Sequence, residues 1–215
     1  LHHAAEHDLA VIPCRNASKL GVGNPPHRYD VGLSLREMNR VWHYEPADLT
    51  ITAQAGVKMS SLQQALAGRR QFLPVDPPFR DRATLGGVVA ANSAGPLRCA
   101  YGTIRDYLLQ VRVVLAGGAM IKSGAAVLKN AAGFDLARLF AGSFGTLGAV
   151  VEATLRVVPM PESEAVVLAS FSSASRAAEA AIQVRCSDAE PAYLEMVSPA
   201  LADSALVGGF AGRYC

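Results

Sequence analysis

The spacing of apolar and polar residues divides the first third of the chain into short helices and strands. A helix is predicted over residues 1–8, and the apolar run at 9–13 that follows it predicts a strand. Residues 14–23 have the polar, glycine-containing composition that is typical of a loop. The rest of this part is predicted to contain strands at 29–35, 41–44 and 49–55 and an amphipathic helix at 57–66.

A second series of elements follows residue 98. Gly117 and Gly118 stand between two apolar runs, which indicates a β-hairpin. Pro159 and Pro161 end the last long strand, and this indicates a boundary. The predicted elements of this part are a loop at 98–103, strands at 107–115, 119–122 and 146–158, and a helix at 133–140.

These elements predict an α+β fold. We predict one domain over residues 1–158, with subdomains of about 1–75 and 76–158, and the start of a further α+β module over 159–215. The chain begins without methionine and ends without a helix cap or tail, so we expect a fragment of a longer protein. The last module is predicted to contain a strand at 164–170, a helix at 174–185 and a strand at 192–197.

Composition and charge exclude several classes of protein. Of the 215 residues, 51% are hydrophobic and 18% are charged, so the chain is globular rather than disordered. A net charge of +2 gives no field of the kind that nucleic-acid-binding proteins carry. No apolar run approaches the roughly 20 residues of a membrane-spanning helix, and we expect a cytoplasmic location. The four cysteines are scattered along the chain, at Cys14, Cys99, Cys186 and Cys215. This spacing predicts reduced thiols rather than a zinc or iron–sulfur site.

The most informative stretch runs from Asp76 to Gly95. It contains two prolines, the run Thr84-Leu85-Gly86-Gly87 and a closing Asn92-Ser93-Ala94-Gly95. Glycines remove Cβ atoms and let backbone come close to a ligand. A helix that begins at Thr84 would direct unpaired N–H groups and its positive dipole end at an anion. We interpret the stretch as a cradle for the pyrophosphate of a dinucleotide, although a glycine pair alone is equally consistent with an ordinary turn.

Further segments in fixed order make this interpretation specific. They are Tyr101-Gly102-Thr103-Ile104-Arg105-Asp106, then Lys129-Asn130-Ala131-Ala132-Gly133-Phe134-Asp135-Leu136, and then Gly145-Thr146-Leu147-Gly148-Ala149-Val150. Together with the stretch from Asp76, they resemble the FAD-binding domain of the flavoprotein family of vanillyl-alcohol oxidase and p-cresol methylhydroxylase. Within that family they most resemble the E subunit of bacterial glycolate oxidase. The resemblance covers about residues 11–159.

The resemblance implies a p-cresol methylhydroxylase type of fold, in which two α+β subdomains hold FAD between them, followed by the start of a cap domain. It also implies that protein groups fix and tune the flavin while the cofactor carries the redox chemistry. The resemblance also implies the cofactor-binding residues. Those of a first pyrophosphate turn are Pro13, Arg15, Asn16, Ala17, Ser18 and Lys19, and those on the cofactor path are Asp76 and Pro77. Those beside the pyrophosphate and flavin are Thr84, Leu85, Gly86, Gly87, Asn92, Ser93 and Gly95, those near the flavin are Tyr101 and Gly102, and those beside the adenosine half are Gly145, Thr146, Gly148 and Val150.

One segment departs from the family pattern. Where relatives have two or three glycines, this chain has Cys14, Arg15, Asn16 and Ala17. Asn tolerates left-handed backbone, so Asn16 is predicted to rescue the turn, and Arg15 to meet phosphate charge directly. The turn contains no histidine for a covalent link to flavin, and we expect FAD to be bound noncovalently.

The resemblance implies an FAD-dependent oxidoreductase component that oxidises a 2-hydroxy acid, of the glycolate or D-lactate type, to a 2-oxo acid. Electrons would pass to an iron–sulfur partner, with a catalytic flavoprotein relative in the same complex at the inner membrane face. Two alternatives stay open: a non-catalytic flavin-binding scaffold subunit, and a self-sufficient oxidoreductase of the same fold. No histidine follows Pro159, and no catalytic base is assigned.

Other clusters have simpler interpretations. His3 and His7 lie one helical turn apart, but with only Glu6 or Asp8 nearby they predict a solvated helix face rather than a metal site. The run from Gly118 to Ser123 fits a hairpin better than a nucleotide triphosphate loop. Lys129 and Asn130 are interpreted as a helix cap first and as an anion-binding site second.

Overall fold

The structure is a computed structural model that describes residues 1–124 and 136–205. The motif from Lys129 to Asp135 and the residue Cys215 lie outside the described residues. The chain divides into two compact units, each described here by itself. The first contains Leu1–Gly95 and Gly102–Met160, and the second contains Pro96–Tyr101 and Pro161–Cys215.

The first unit is built on a five-stranded antiparallel sheet with the strand order β3-β4-β8-β6-β7. Two smaller pairs accompany it: β1 and β2 are parallel, and β5 and β9 are antiparallel. The strands are β1 (Val11–Cys14), β2 (Val31–Ser34), β3 (Val41–Glu45), β4 (Thr50–Gln54), β5 (Gln71–Phe72), β6 (Leu108–Val114), β7 (Met120–Gly124), β8 (Ala149–Arg156) and β9 (Val158–Pro159).

Short helices connect and cover these strands. Those of the first unit are α1 (His2–Glu6), α2 (Met59–Ala67), α3 (Leu85–Ala91), α5 (Ile104–Tyr107) and α6 (Leu136–Phe140); those of the second unit are α4 (Arg98–Tyr101), α7 (Ala174–Arg185) and α8 (Pro199–Ala205). Across the described ranges, none of the helices has the length and apolar character needed to span a membrane.

In the core of the first unit, α3 packs against the strands β4 and β8 of the central sheet, and α2 packs against β5. Apolar side chains recur on one face of each helix because residues three and four apart share a face. Met59, Leu62 and Leu66 of α2 are buried, as are Leu85 and Val88 of α3. The sheet side of the core consists of buried residues of its central strands, namely Ile51, Ala53, Val111, Val113, Ala153 and Leu155.

The α+β prediction is confirmed, and most predicted elements form with shifts of one to three residues at their ends. The loop predicted at 98–103 is wrong, because Arg98–Tyr101 is helical and α5 begins at Ile104. The strands predicted at 164–170 and 192–197 are also wrong. Val167 is 91% exposed, and no described strand pairs with either segment. A strand without a neighbour leaves its backbone groups unpaired.

The predicted division near residue 75 does not separate two sheets. Strands β3 and β4 come from the first predicted subdomain, and they share the central sheet with β6, β7 and β8 from the second. The register pairs Ile51 with Leu155, which are 104 positions apart in sequence. A pairing between strands so far apart in the sequence cannot be predicted from neighbouring residues. The predicted domain boundaries therefore stay predictions.

Candidate functional site

The first wall of the candidate site is the turn that follows β1. The parallel pairing of β1 with β2 fixes the start of this turn, and the Leu35 amide donates to the Cys14 carbonyl at 2.8 Å. Ala17 then adopts left-handed backbone with φ 53°. The left-handed residue predicted for this turn was Asn16, so that detail is corrected. A residue with a Cβ is disfavoured in this region, and Ala17 therefore stores strain that a glycine would not.

Asn16 has a different role from the one predicted. Its side-chain amide donates to the Arg82 carbonyl at 2.6 Å, and the Arg82 guanidinium donates to the Asn16 carbonyl at 3.4 Å. This reciprocal pair ties the turn to the loop that precedes α3. Arg82 was not predicted as a site residue, since 66 positions separate the two partners and neither belongs to a shared motif.

The second wall is the beginning of α3. Thr84 is extended and precedes the helix, and the Leu85 and Gly86 amides donate to the carbonyls of Val57 and Ala55, both at 2.8 Å. The expectation that these two amides point unpaired at an anion is therefore wrong. They attach the helix to the segment after β4. Gly87, in contrast, is exposed, and its nearest neighbour at a Cβ position is the Thr84 Oγ1 at 3.2 Å.

The third wall is the loop that leads into β8. The Gly142 amide donates to the Val89 carbonyl at 3.0 Å and the Phe144 amide to the Ala90 carbonyl at 2.7 Å, so the loop is bound to the end of α3. Phe144 and Gly145 both have positive φ, at 53° and 79°. This backbone places Gly145 beside Pro13, where an added Cβ would lie 3.4 Å from the Pro13 Cγ.

Along these walls lies a groove with three sections, each of which is lined in part by Pro13. Two sections of about 140 and 80 Å³ lie between the turn and α3, and a third of about 370 Å³ lies beside α1. An elongated ligand suits this shape. The predicted site residues that line the groove are Pro13, Arg15, Asn16, Ala17, Ser18, Lys19, Thr84, Gly86, Gly87, Gly145, Thr146, Gly148 and Val150.

The other predicted residues lie outside these sections. The Asp76 carboxylate accepts from the Gly95 amide at 3.1 Å, so Asp76 holds the end of the loop after α3. Asn92 ends α3 in left-handed backbone with φ 44°. Tyr101 belongs to the second unit. The remaining members of this set are Pro77, Leu85, Ser93 and Gly102.

Gly102 has a structural role at the start of α5. It has φ +79°, and the Asp106 carboxylate lies where its Cβ would be, at 2.6 Å. That carboxylate accepts from the Thr103 amide at 2.8 Å and from the Thr103 hydroxyl at 3.2 Å. These bonds, the amide bond first, hold the pKa of Asp106 below its ordinary value, although partial burial acts in the opposite direction.

One buried polar atom without a partner, the Arg15 Nε, belongs to a residue that lines the groove. Among the described residues, the Arg15 Nε, the Asn92 Oδ1 and the Ser143 Oγ are buried and make no hydrogen bond. Such groups are costly unless a ligand or water satisfies them. Of the residues that the structure describes, those lining the two sections next to α3 include the cations Arg15 and Lys19 and no carboxylate. A diphosphate fits this donor set, because phosphate oxygens accept from guanidinium and backbone donors.

The comparison with protein families agrees with this geometry. Residues 1–124 match the family described as FAD binding domain, which is more than half of the chain. The chain belongs to this FAD binding domain family. FAD, bound noncovalently, is therefore its cofactor, and the predicted family and its type of fold are confirmed.

Relatives of this FAD binding domain include two subunits of glycolate oxidase. The chain is 35% identical over 90% of its length to the subunit GlcD of Bacillus subtilis (strain 168), and 39% identical over 61% to the subunit GlcE of Escherichia coli (strain K12). It spans only 41% and 38% of those proteins. A solved structure of alkyldihydroxyacetonephosphate synthase aligns with a TM-score of 0.76 and 27% identity, covering 94% of this chain and 40% of that one.

The left-handed backbone of Ala17 leads to a stability prediction. Ala17→Gly should raise the free energy of unfolding by about 0.5–1 kcal/mol, because Ala17 is exposed and glycine adopts its left-handed backbone without the steric cost of a Cβ. The matched control is Ala65→Gly on the exposed face of α2, where the same change should lower stability by a similar amount. Urea denaturation of both variants measures whether each change raises or lowers the free energy of unfolding. Equal destabilisation by both would contradict the left-handed turn.

Proposed function

We propose that this chain forms the FAD site of an oxidoreductase that converts a small 2-hydroxy acid, of the glycolate or D-lactate type, into the 2-oxo acid. The observation that carries the proposal is the groove beside α3, whose described lining has two cations, an unpaired Arg15 Nε and no carboxylate. The class of substrate is supported by the names of relatives, which include D-lactate dehydrogenase and D-2-hydroxyglutarate dehydrogenase as well as glycolate oxidase.

The predicted site residues divide along the proposed cofactor path. Arg15, Ser18 and Lys19 would bind the pyrophosphate, with Thr84 and Gly87 on the opposite wall. The wide third section would accept the adenosine half. Residues proposed for that half are Gly145, Thr146, Gly148 and Val150. Pro13, Asn16 and Ala17 would complete the pyrophosphate turn. The residues that would lie on the cofactor path, beside the pyrophosphate and flavin or near the flavin are Asp76, Pro77, Leu85, Gly86, Asn92, Ser93, Gly95, Tyr101 and Gly102.

The reaction would remove two electrons and two protons from the substrate. When bound, FAD supplies the acceptor for the hydride that leaves the carbon bearing the hydroxyl group. This chain's own residues bind and orient: Arg15 and Lys19 neutralise phosphate charge, and the turn and α3 exclude water from the groove. The base that takes the hydroxyl proton is not assigned to a residue of this chain.

A hetero-oligomeric partner is the second part of the proposal. The similarity to both GlcD and GlcE suggests a complex in which this chain works with a catalytic flavoprotein relative, with electrons passed to an iron–sulfur subunit. The side chains in the turn at 14–17 favour one alternative, a subunit that binds flavin without turning over. A self-sufficient oxidoreductase of the same fold is the other alternative.

We also propose that residues 1–158 form one domain and that residues 159–215 are the start of a cap domain. The proposed location of the protein is the cytoplasm.

Absorption spectroscopy tests this proposal directly. We expect the purified chain to bind FAD, seen as quenching of flavin fluorescence on titration and as absorption in the blue. Anaerobic glycolate or D-lactate should then bleach the blue band of the longest natural polypeptide that carries this sequence, and an artificial electron acceptor should restore it. Failure to bind FAD would contradict the cofactor site itself. FAD binding without bleaching by any 2-hydroxy acid would favour the non-catalytic alternative.

A further inference from the structure

We propose that His3, Glu6 and His7 form a binding site for a divalent cation of the zinc type on the exposed face of α1. Their potential ligand atoms, two imidazole nitrogens and one carboxylate oxygen, all lie within 4.8 Å of one another. The sequence predicts a solvated face for the histidine pair, with Glu6 or Asp8 nearby, and in the structure Glu6 is the carboxylate that lies close to both imidazoles. Two imidazoles and one carboxylate are a donor set that Zn²⁺ uses in proteins.

The hydrogen bonding of His7 prepares its ring for a cation. The His7 Nδ1 lies 2.9 Å from the His3 carbonyl oxygen. A carbonyl oxygen only accepts, so the proton is on Nδ1 and the lone pair of the neutral ring is on Nε2. Metal-bound histidines are commonly held in this way by a carbonyl on the other nitrogen. The His3 and His7 ring centroids are 4.2 Å apart, which keeps both imidazoles on one side of the helix.

Glu6 is oriented by a neighbour that is not itself part of the three-ligand cluster. The Glu6 Oε1 lies 3.2 Å from the His2 Nδ1, one helical turn earlier. A carboxylate has two oxygens, so a bond to His2 leaves the second oxygen for a cation. His2 would therefore act as a positioning residue, in the manner of the groups that hold metal-bound carboxylates in place.

The helix that carries these ligands is fixed to the fold. The Leu9 amide donates to the Ala4 carbonyl at 2.8 Å, and Asp8 forms an ion pair with Arg28 at 2.9 Å. Gly118 packs against the backbone of His2, where an added Cβ would lie 3.1 Å from the His2 nitrogen. Because the backbone is already ordered, binding a cation costs only the freedom of exposed side chains, whose rotation would bring the ligand atoms closer together.

The chemistry of the ligands selects the class of cation. Imidazole nitrogen suits Zn²⁺, Ni²⁺ and Cu²⁺, whereas Mg²⁺ prefers an all-oxygen site with several waters. The exposed positions of all three residues leave further coordination sites for water. The proposal does not depend on FAD, because the ligands are side chains that do not line the groove.

Calorimetric titration of the chain with Zn²⁺ tests the site, using protein without an affinity tag and with its thiols blocked by iodoacetamide. We expect one cation per chain, and a rise in melting temperature of about 3 °C at a tenfold excess over the dissociation constant. His3→Gln and His7→Gln should each abolish the rise, and Glu6→Gln should weaken binding by about tenfold or more. The matched controls His27→Gln and His43→Gln, at the two exposed histidines that follow His7 in the sequence, should leave it unchanged.

Three results would overturn the proposal. Zinc binding that persists in both His3→Gln and His7→Gln would place the cation elsewhere. If Glu6→Gln binds Zn²⁺ with unchanged affinity, Glu6 is not a ligand and the proposed site of three ligands is wrong. An equal rise in melting temperature with Mg²⁺ would show a general ionic effect instead of coordination by imidazole.

Discussion

Arg15→Glu is expected to abolish FAD binding while the chain stays folded. The buried Nε of Arg15 makes no hydrogen bond within the protein, so the fold does not depend on that donor. A carboxylate at this position would introduce negative charge into a part of the groove whose described residues carry none. Unit charges about 4 Å apart interact by about 4 kcal/mol near a protein surface, so we expect an affinity loss of about 100-fold or more.

The control for this change is Arg176→Glu, on the exposed face of α7, which alters net charge by the same amount. Arg15→Gly, which restores the residue type of the family pattern, should weaken FAD binding by only about tenfold, since it removes a charge-assisted bond without adding repulsion. Flavin fluorescence titration gives the affinities and circular dichroism the melting temperatures. If Arg15→Glu binds FAD with wild-type affinity, the proposal that this turn binds the phosphates of FAD is wrong.

The elements that the sequence predicts best are those whose signal is local. The helix predicted at 174–185 forms as Ala174–Arg185, because Ser173 caps it and its apolar residues keep a helical period. The hairpin at Gly117 and Gly118 also forms, and Gly118 has the positive φ that the turn requires. In both cases, the information lies within a dozen neighbouring residues.

The parts of the site that the sequence did not predict depend on distant partners. Whether the amides of Leu85 and Gly86 are free is decided by carbonyls of Val57 and Ala55, about 30 residues earlier in the chain. The position of Asn16 depends in the same way on Arg82. Motifs therefore identified the segments that form the walls of the groove. They could not show which backbone amides of those segments already form hydrogen bonds within the fold.

The two glycines of α3 should respond oppositely to the same substitution. At Gly86, an added Cβ would lie 2.6 Å from the Ala55 Cβ and 3.1 Å from the Ala55 carbonyl oxygen. The helix would have to move away from β4 and weaken the bond between the Gly86 amide and that carbonyl. Overpacking of this kind costs about 1–3 kcal/mol, which exceeds the gain of up to about 1 kcal/mol in helix propensity. We expect Gly86→Ala to lower the melting temperature by roughly 3–8 °C.

Gly87→Ala should leave the fold as stable as before or slightly more stable, because Gly87 is exposed and alanine is the better helix former. Its methyl group would enter the groove where the two sections next to α3 meet, so FAD affinity should fall by about tenfold, or about 1.4 kcal/mol. Melting temperatures without FAD and flavin titrations separate the two variants. If Gly87→Ala binds FAD normally, the start of α3 does not contact the cofactor; if Gly86→Ala is as stable as wild type, Gly86 is not required for the contact between α3 and the sheet.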